Sequence, residues 1–299
     1  MSANSSTEQR NPATVLLDAV DTRRMLEMIL AEDFHAVTAV AAVTGQLAEV
    51  VDEVTLRLAR DGTVHYFGAG ASGRLAMLDA TEMTPTFGVR PELFQAHFPG
   101  GAEALLDSTI DLEDADALGY QDASALDSHS VAVGISASGK TPYVRGALRR
   151  AREVGSLSVV ITCNPRARLR EYADVCVVAD TGPEALMGST RLKAGTATKV
   201  ILSAFSTALM VRAGHTYSNL MVGLSATNDK LRDRAVAILA EGSSKSIEIC
   251  RETLKSSGDD IPIALIMLIS GCALPVAQEH YSRSGTVRGA VDAISELDR

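Results

Sequence analysis

Two glycine-rich loops hold the polar side chains best spaced for chemistry. Residues 68–74 read GAGASGR and residues 134–141 read GISASGKT. Each ends a β-rich run and opens a stretch with helical character. Each sets small residues, a serine and a glycine before a cation: Ala71-Ser72-Gly73-Arg74 and Ala137-Ser138-Gly139-Lys140-Thr141. Backbone N–H groups at a helix start, joined by hydroxyls, form an anion site. Two such loops on neighbouring strands suit a ligand with a phosphate at one end and hydroxyls along its length, which describes a sugar phosphate. The candidate binding residues are Gly70, Ser72, Gly73 and Arg74, then Ser136, Ser138, Gly139, Lys140 and Thr141.

Other readings compete. The first loop has the GxGxxG spacing of a dinucleotide site, but that site needs an acid about twenty residues on, ending the second strand. Glu92 stands before its strand LFQAHF, not after it. The second loop matches GxxxxGK[ST] literally, and DVCVVAD, ending at Asp180, could serve as the acidic strand of an ATPase. That reading leaves the first loop without a purpose. The plainest alternative is a pair of tight turns that need glycine for its left-handed conformation.

A third polar cluster occupies residues 182–199, GPEALMGSTRLKAGTATK. Ser189, Thr190, Arg191, Lys193 and Thr196 crowd a predicted helix start, with Glu184 just before it. A helix cap would account for one hydroxyl and could account for Glu184, but not for so many polar residues. Glu184, Ser189, Thr190 and Lys193 therefore join the candidate substrate-binding set.

These loops need elements to carry them. VHYFG, SVAVGIS, LSVVITC and DVCVVAD are short β-rich runs, with helix candidates between them at 73–81, 141–154 and 193–213. Strands alternating with helices predict βαβ units and a mainly parallel sheet. Before this block, apolar residues recur at helical spacing from about 21 to 60, which predicts two or three helices. After residue 228 only helical patterns follow. The expected division is an N-terminal arm and helices over 1–54, a sugar-phosphate domain over 55–220 and a helical C-terminal region over 221–299.

Bulk properties agree. The 299 residues are 46% hydrophobic but only 4% aromatic, with no Trp, so Ala, Val, Leu and Ile must fill the core. A net charge of −9 argues against nucleic acid as a partner, which calls for a basic patch. Cys163, Cys176, Cys250 and Cys272 form no CxxC motif and read as small buried hydrophobes in a reducing compartment. The first eighteen residues are polar and lack the apolar core of a signal peptide. The run IPIALIMLISGCALPVA is bounded by prolines and broken at Ser270-Gly271, so a buried helix is expected in place of a membrane span. The expected location is the cytoplasm, with no membrane partner.

The loops together resemble sugar isomerase (SIS) domains. Longer strings narrow the resemblance: TEQRNPATVLLD, GAGASGRLAMLDATEMTPTFG, SASGKTPYV, GSTRLKAGTATK and NLMVGLSATNDKL are similar to those of N-acetylmuramic acid 6-phosphate etherases. The resemblance runs from residue 7 to about 235, and GTVRGAV near the end still fits. It implies a three-layer α/β/α fold and loss of D-lactate from C3 of N-acetylmuramate 6-phosphate. The route is β-elimination followed by water addition, with no metal and no nucleotide. It also implies a homodimer with the site near the interface.

The resemblance further assigns two carboxyls. Glu82 becomes the acid toward the lactyl oxygen, and Glu113 becomes the base at C2 that then activates water. An acid working near neutral pH needs its pKa raised by burial, an expectation that Met83, Pro85 and Phe87 encourage for Glu82. On the residues alone, DLEDAD at 111–116 leaves Asp111, Glu113, Asp114 and Asp116 equal, and such a run usually marks a solvated face. Two positions depart from the pattern: Ile110 stands where relatives often carry Glu, and Lys140 where Arg is commoner, which loses a bidentate fork. A sugar-phosphate isomerase and a sugar-phosphate-sensing regulator share the fold and remain alternatives. The vertebrate glucokinase regulators of the latter kind are about twice as long, with two such domains.

Overall fold

The computed structural model describes residues 6–224 and 229–297. Part of the string NLMVGLSATNDKL, together with residues 1–5 of the polar arm and 298–299 at the end, lies outside the described residues. The chain divides into two compact units: Met1–Thr81 with Glu92–Ser206, and Glu82–Pro91 with Thr207–Arg299.

The first unit opens with an ordered arm. Asn11 Nδ2 donates to the Pro183 carbonyl at 3.1 Å and Thr14 Oγ1 to the Ala185 carbonyl at 2.8 Å. Two helices follow, α1 (Thr22–Ala41) and α2 (Thr44–Leu58). Asp21 caps α1 by accepting from the Arg24 N–H at 3.0 Å.

The sheet then alternates with helices: β1 (Val64–Gly68), α3 (Gly70–Phe87), β2 (Phe94–His97), α4 (Gly101–Leu106), α5 (Asp116–Asp122), β3 (Val131–Ile135), α6 (Pro142–Val154), β4 (Leu157–Thr162), β5 (Val175–Val178) and α7 (Lys193–Arg212). Neighbouring strands are parallel, in the order β2-β1-β3-β4-β5. β1, β3 and β4 are buried at every residue, as strands covered by helices on both faces must be. The order in which the chain adds strands reverses between β1 and β3, and in such sheets ligands bind beyond the strand ends at that point. The two glycine-rich loops leave these two strands.

Local chemistry fixes the helix positions. Pro142 stands at the start of α6, where its fixed φ suits the first turn, and Gly155 ends that helix in the left-handed conformation. Pro85 sits inside α3, close to its end. α7 has the length and apolarity of a membrane span, but Ala194, Ala197, Ile201, Leu202 and Phe205 are buried in the protein.

The second unit holds the ends of α3 and α7, a ribbon of β6 (Thr216–Tyr217) and β7 (Leu220–Met221), and five helices: α8 (Asp229–Ser243), α9 (Ile247–Ser256), α10 (Ile261–Ser270), α11 (Leu274–Ser284) and α12 (Val287–Leu297). The antiparallel ribbon was not expected from sequence; two-residue strands are too short to show a period. The run IPIALIMLIS is the core helix α10, with Ala264, Leu265 and Ile266 fully buried. Asp260 caps it by accepting from the Ile263 N–H at 2.9 Å.

Candidate functional site

The second loop is a hydrogen-bonded structure in its own right. Gly139 N–H donates to Ser136 Oγ at 3.0 Å. Ser136 Oγ lies 2.8 Å from Thr141 Oγ1 and 3.4 Å from Ser138 Oγ. Gly139 has φ +68°, and a Cβ there would come within 2.2 Å of the Ala167 side chain. The loop geometry therefore excludes any other residue at this position.

Thr141 Oγ1 donates to Glu113 Oε1 at 2.9 Å. Because the Thr141 hydroxyl gives its one proton to Glu113, the Ser136 hydroxyl is the donor toward Thr141. This chain of donors aims one carboxylate oxygen and leaves the other for a ligand. The backbone supports the same contact, since Tyr143 N–H donates to the Glu113 carbonyl at 3.0 Å.

The structure also separates the four acids of 111–116. Asp111 Oδ1 accepts from the Glu113 N–H at 3.2 Å, as a turn former. Asp116 is held by Arg145 at 2.7 Å and Arg149 at 2.9 Å. Glu113 reaches the second loop. No spacing rule in the sequence distinguishes it, because its partner lies 28 residues away.

The first loop meets Glu113 across a cavity of about 240 Å³ lined by Gly70, Arg74, Phe98, Asp111 and Glu113 among others. Gly73 packs so closely on the end of β1 that a Cβ would lie 2.3 Å from the Gly68 carbonyl oxygen. That approach brings the first turn of α3 against the strand end. The Arg74 guanidinium lies over the Phe98 ring, 5.1 Å from its centroid, and donates to the Ala104 carbonyl at 3.5 Å. Ser72 is half-buried in the same turn. Gly70, Arg74, Glu113 and the hydroxyls of Ser136, Ser138 and Thr141 thus belong to one neighbourhood, and Lys140 lies within the same loop.

Two expected binding residues, Glu184 and Lys193, make buried contacts within the framework. Glu184 is fully buried, and its carboxylate accepts from the Lys193 and Ala194 N–H groups, each at 3.0 Å. It caps α7 from nine residues upstream. Burial raises its pKa, opposed by those two N–H donors. The Lys193 ammonium, also buried, pairs with Glu32 of α1 at 2.5 Å. Burial works to raise the Glu32 pKa, but contacts with Lys193 and Asn11 together outweigh it and the net direction is down. Ser189 and Thr190 are half-buried just before α7.

Glu82 lies on α3 with its side chain exposed. Met83 and Phe87 turn inward, while Pro85 is exposed. The expected burial of Glu82 is therefore not provided within one chain. One turn earlier, Asp79 is the enclosed acid, accepting from Tyr66 Oη at 2.9 Å and Ser206 Oγ at 3.0 Å. Its pKa is raised by burial, against the pull of those two hydroxyls.

The histidines are scattered along the sequence, and two of them meet in the fold. His65 Nδ1 lies 3.0 Å from His97 Nε2, and His65 Nε2 lies 2.9 Å from Thr63 Oγ1. Both rings are stacked beside Phe67. Among the described residues, no group of three or more His, Cys, Asp or Glu is placed to hold a metal ion.

Comparison with known proteins places this geometry. Residues 46–152 match the glucokinase regulatory protein N-terminal SIS domain, and residues 105–208 match the SIS domain. The phosphoheptose isomerase from Francisella tularensis covers 64% of this chain and 100% of its own at 15% identity, with a TM-score of 0.51, a likeness of fold alone. The N-acetylmuramic acid 6-phosphate etherase of Pectobacterium atrosepticum is 43% identical over 287 residues, 95% of each chain. That of Thermobifida fusca is 48% identical over 264 residues, 88% of this chain and 87% of the relative. At such identity over nearly the whole length, this chain belongs to the N-acetylmuramic acid 6-phosphate etherase family.

Proposed function

We propose that the chain cleaves the lactyl ether of N-acetylmuramate 6-phosphate, giving N-acetylglucosamine 6-phosphate and D-lactate, in the recycling of cell-wall amino sugars. The observation that carries this reading is the Glu113 carboxylate, held by the second loop at a cavity whose other wall is the first loop. A sugar phosphate spanning both loops brings its ring past that carboxylate.

In the open-chain sugar, the C1 aldehyde makes the C2 proton acidic. Glu113 takes that proton, and the C2–H electron pair forms the C2–C3 double bond. The C3–O bond breaks as Glu82 protonates the departing lactyl oxygen. Glu113 passes its proton to solvent and then takes one from the water that adds to C3; solvent returns one proton to C2 and one to Glu82, and Glu113 releases its second proton to close the cycle. Each proton transfer contributes roughly 10²–10⁴ in rate.

Glu82 needs occlusion from water to act as an acid, and a second copy of the chain supplies it. Leu26, Leu30, Phe34 and Val37 form an exposed apolar stripe on α1, with Phe34 76% exposed. Leu78, also exposed, lies one turn before Glu82 on α3. These faces support a homodimer. The four cysteines are unpaired, which suits the reducing cytoplasm.

The test is direct. The purified chain is incubated with N-acetylmuramate 6-phosphate, without ATP, NAD or added metal, and D-lactate is assayed. Release of lactate is the expected result. Binding without lactate would favour an isomerase or a regulator, and ATP hydrolysis would favour the literal nucleotide reading of GISASGKT.

A further inference from the structure

A second groove of about 430 Å³ adjoins the loop cavity. Ala71, Arg74 and Leu75 form one wall, and Arg191, Thr196 and Lys199 stand on the other. Three of its lining residues are cations and none is acidic, in a chain whose net charge is −9. The walls are the first turns of α3 and α7, two long helices whose positive dipole ends favour an anion there. Leu75 and Val200 add apolar surface, which strengthens a charge interaction by displacing water. Arg74 lines both the groove and the cavity of Glu113.

Resting on the etherase reading, we infer that this groove receives the carboxylate of the lactyl arm, with Arg191 and Lys199 as its specificity-determining cations. The substrate carries two anions. The hydroxyls of the second loop suit the phosphate, so the lactyl carboxylate needs a place of its own. The groove shares Arg74 with the sugar cavity, and no residue of the second loop lines it. A sugar phosphate without a lactyl arm leaves it empty of ligand. The same cations hold the lactate anion as its ether oxygen departs, so the groove separates a lactyl ether from the substrates of an isomerase.

The test compares Arg191→Gln and Lys199→Gln with the unaltered chain. Both side chains are exposed, so the substitutions leave packing intact. Three quantities are measured: KM for N-acetylmuramate 6-phosphate, inhibition by N-acetylglucosamine 6-phosphate and inhibition by D-lactate. Losing a charge-assisted contact should raise KM about tenfold or more. D-lactate inhibition should weaken in parallel, while inhibition by the lactyl-free sugar phosphate stays unchanged. An equal loss of affinity for both sugar phosphates would assign the groove to the phosphate and overturn the inference. An unchanged KM would overturn it too. Absence of lactate from the unaltered chain would remove the etherase reading and this inference together, whereas a working wild type with unaffected variants removes the inference alone.

Discussion

Acidification should unfold this protein partly through the His65–His97 pair. His65 is 2% exposed on β1, and burial, followed by the neighbouring His97, lowers its pKa from 6.5 to about 4, with Asp127 opposing. His97 is lowered by burial as well, with Asp122 opposing. A depressed histidine means that the unfolded chain binds protons first as pH falls. The stability is therefore complete above pH 6.5 and is lost progressively toward pH 4. Linkage gives a loss of about 2 kcal/mol between pH 7 and pH 5 from His65 alone. Asp79 and Glu184, raised by burial, act in the opposite direction, so the wild-type curve alone does not isolate the ring. His65→Asn does. Urea unfolding of both proteins at pH 7 and pH 5 gives the difference in stability at each pH. The variant should be less stable at pH 7, through its lost packing and hydrogen bonds, and that difference should shrink by about 2 kcal/mol at pH 5. A difference independent of pH would refute the reasoning, because the ring would then titrate alike in the folded and unfolded chains.

Three further outcomes are expected. Glu82→Gln and Glu113→Gln should each abolish lactate release while circular dichroism stays native, because both side chains are exposed; full activity in either would remove that residue from the chemistry. Thr141→Val should lower kcat more than it raises KM, since it removes the donor that aims Glu113; Thr141→Ser should restore kcat, and a raised KM with kcat unchanged would return Thr141 to substrate binding alone. Glu32→Gln should destabilise by about 3 kcal/mol or more in thermal or urea melts, because it leaves the buried Lys193 ammonium without its counter-charge; a loss below about 1 kcal/mol, as for an exposed pair, would contradict the burial of this contact.

The strands and both loops were legible because their signals are local. A strand buried on both faces must be a run such as VAVGI or LSVVIT, and a βα turn needs glycine where backbone crowds backbone, as at Gly73 and Gly139. The contacts that decide roles are not local. Glu113 and Thr141 are 28 residues apart, His65 and His97 are 32 apart, and Glu32 and Lys193 are 161 apart. No residue type announces such a pairing; the sheet order creates it, by placing β1 between β2 and β3.

The cluster at 182–199 shows where a local signal was present but lacked its phase. Its density of polar residues points to binding but does not separate one residue from another. Once α7 begins at Lys193, the helical period divides it. Lys193 shares a stripe with Ala197 and Ile201, which are fully buried, so its ammonium goes inward to Glu32 and needs a counter-charge to remain there. Gly195, Thr196 and Lys199 fall on another stripe and, with Arg191 just before the helix, line the groove. Glu184 satisfies the first N–H groups of the same helix, which would otherwise be buried without acceptors. The inward residues therefore hold the helix start in place, and the outward cations gain a fixed position from it. Removing Glu184 or Glu32 should thus weaken binding at the groove without either carboxylate touching ligand.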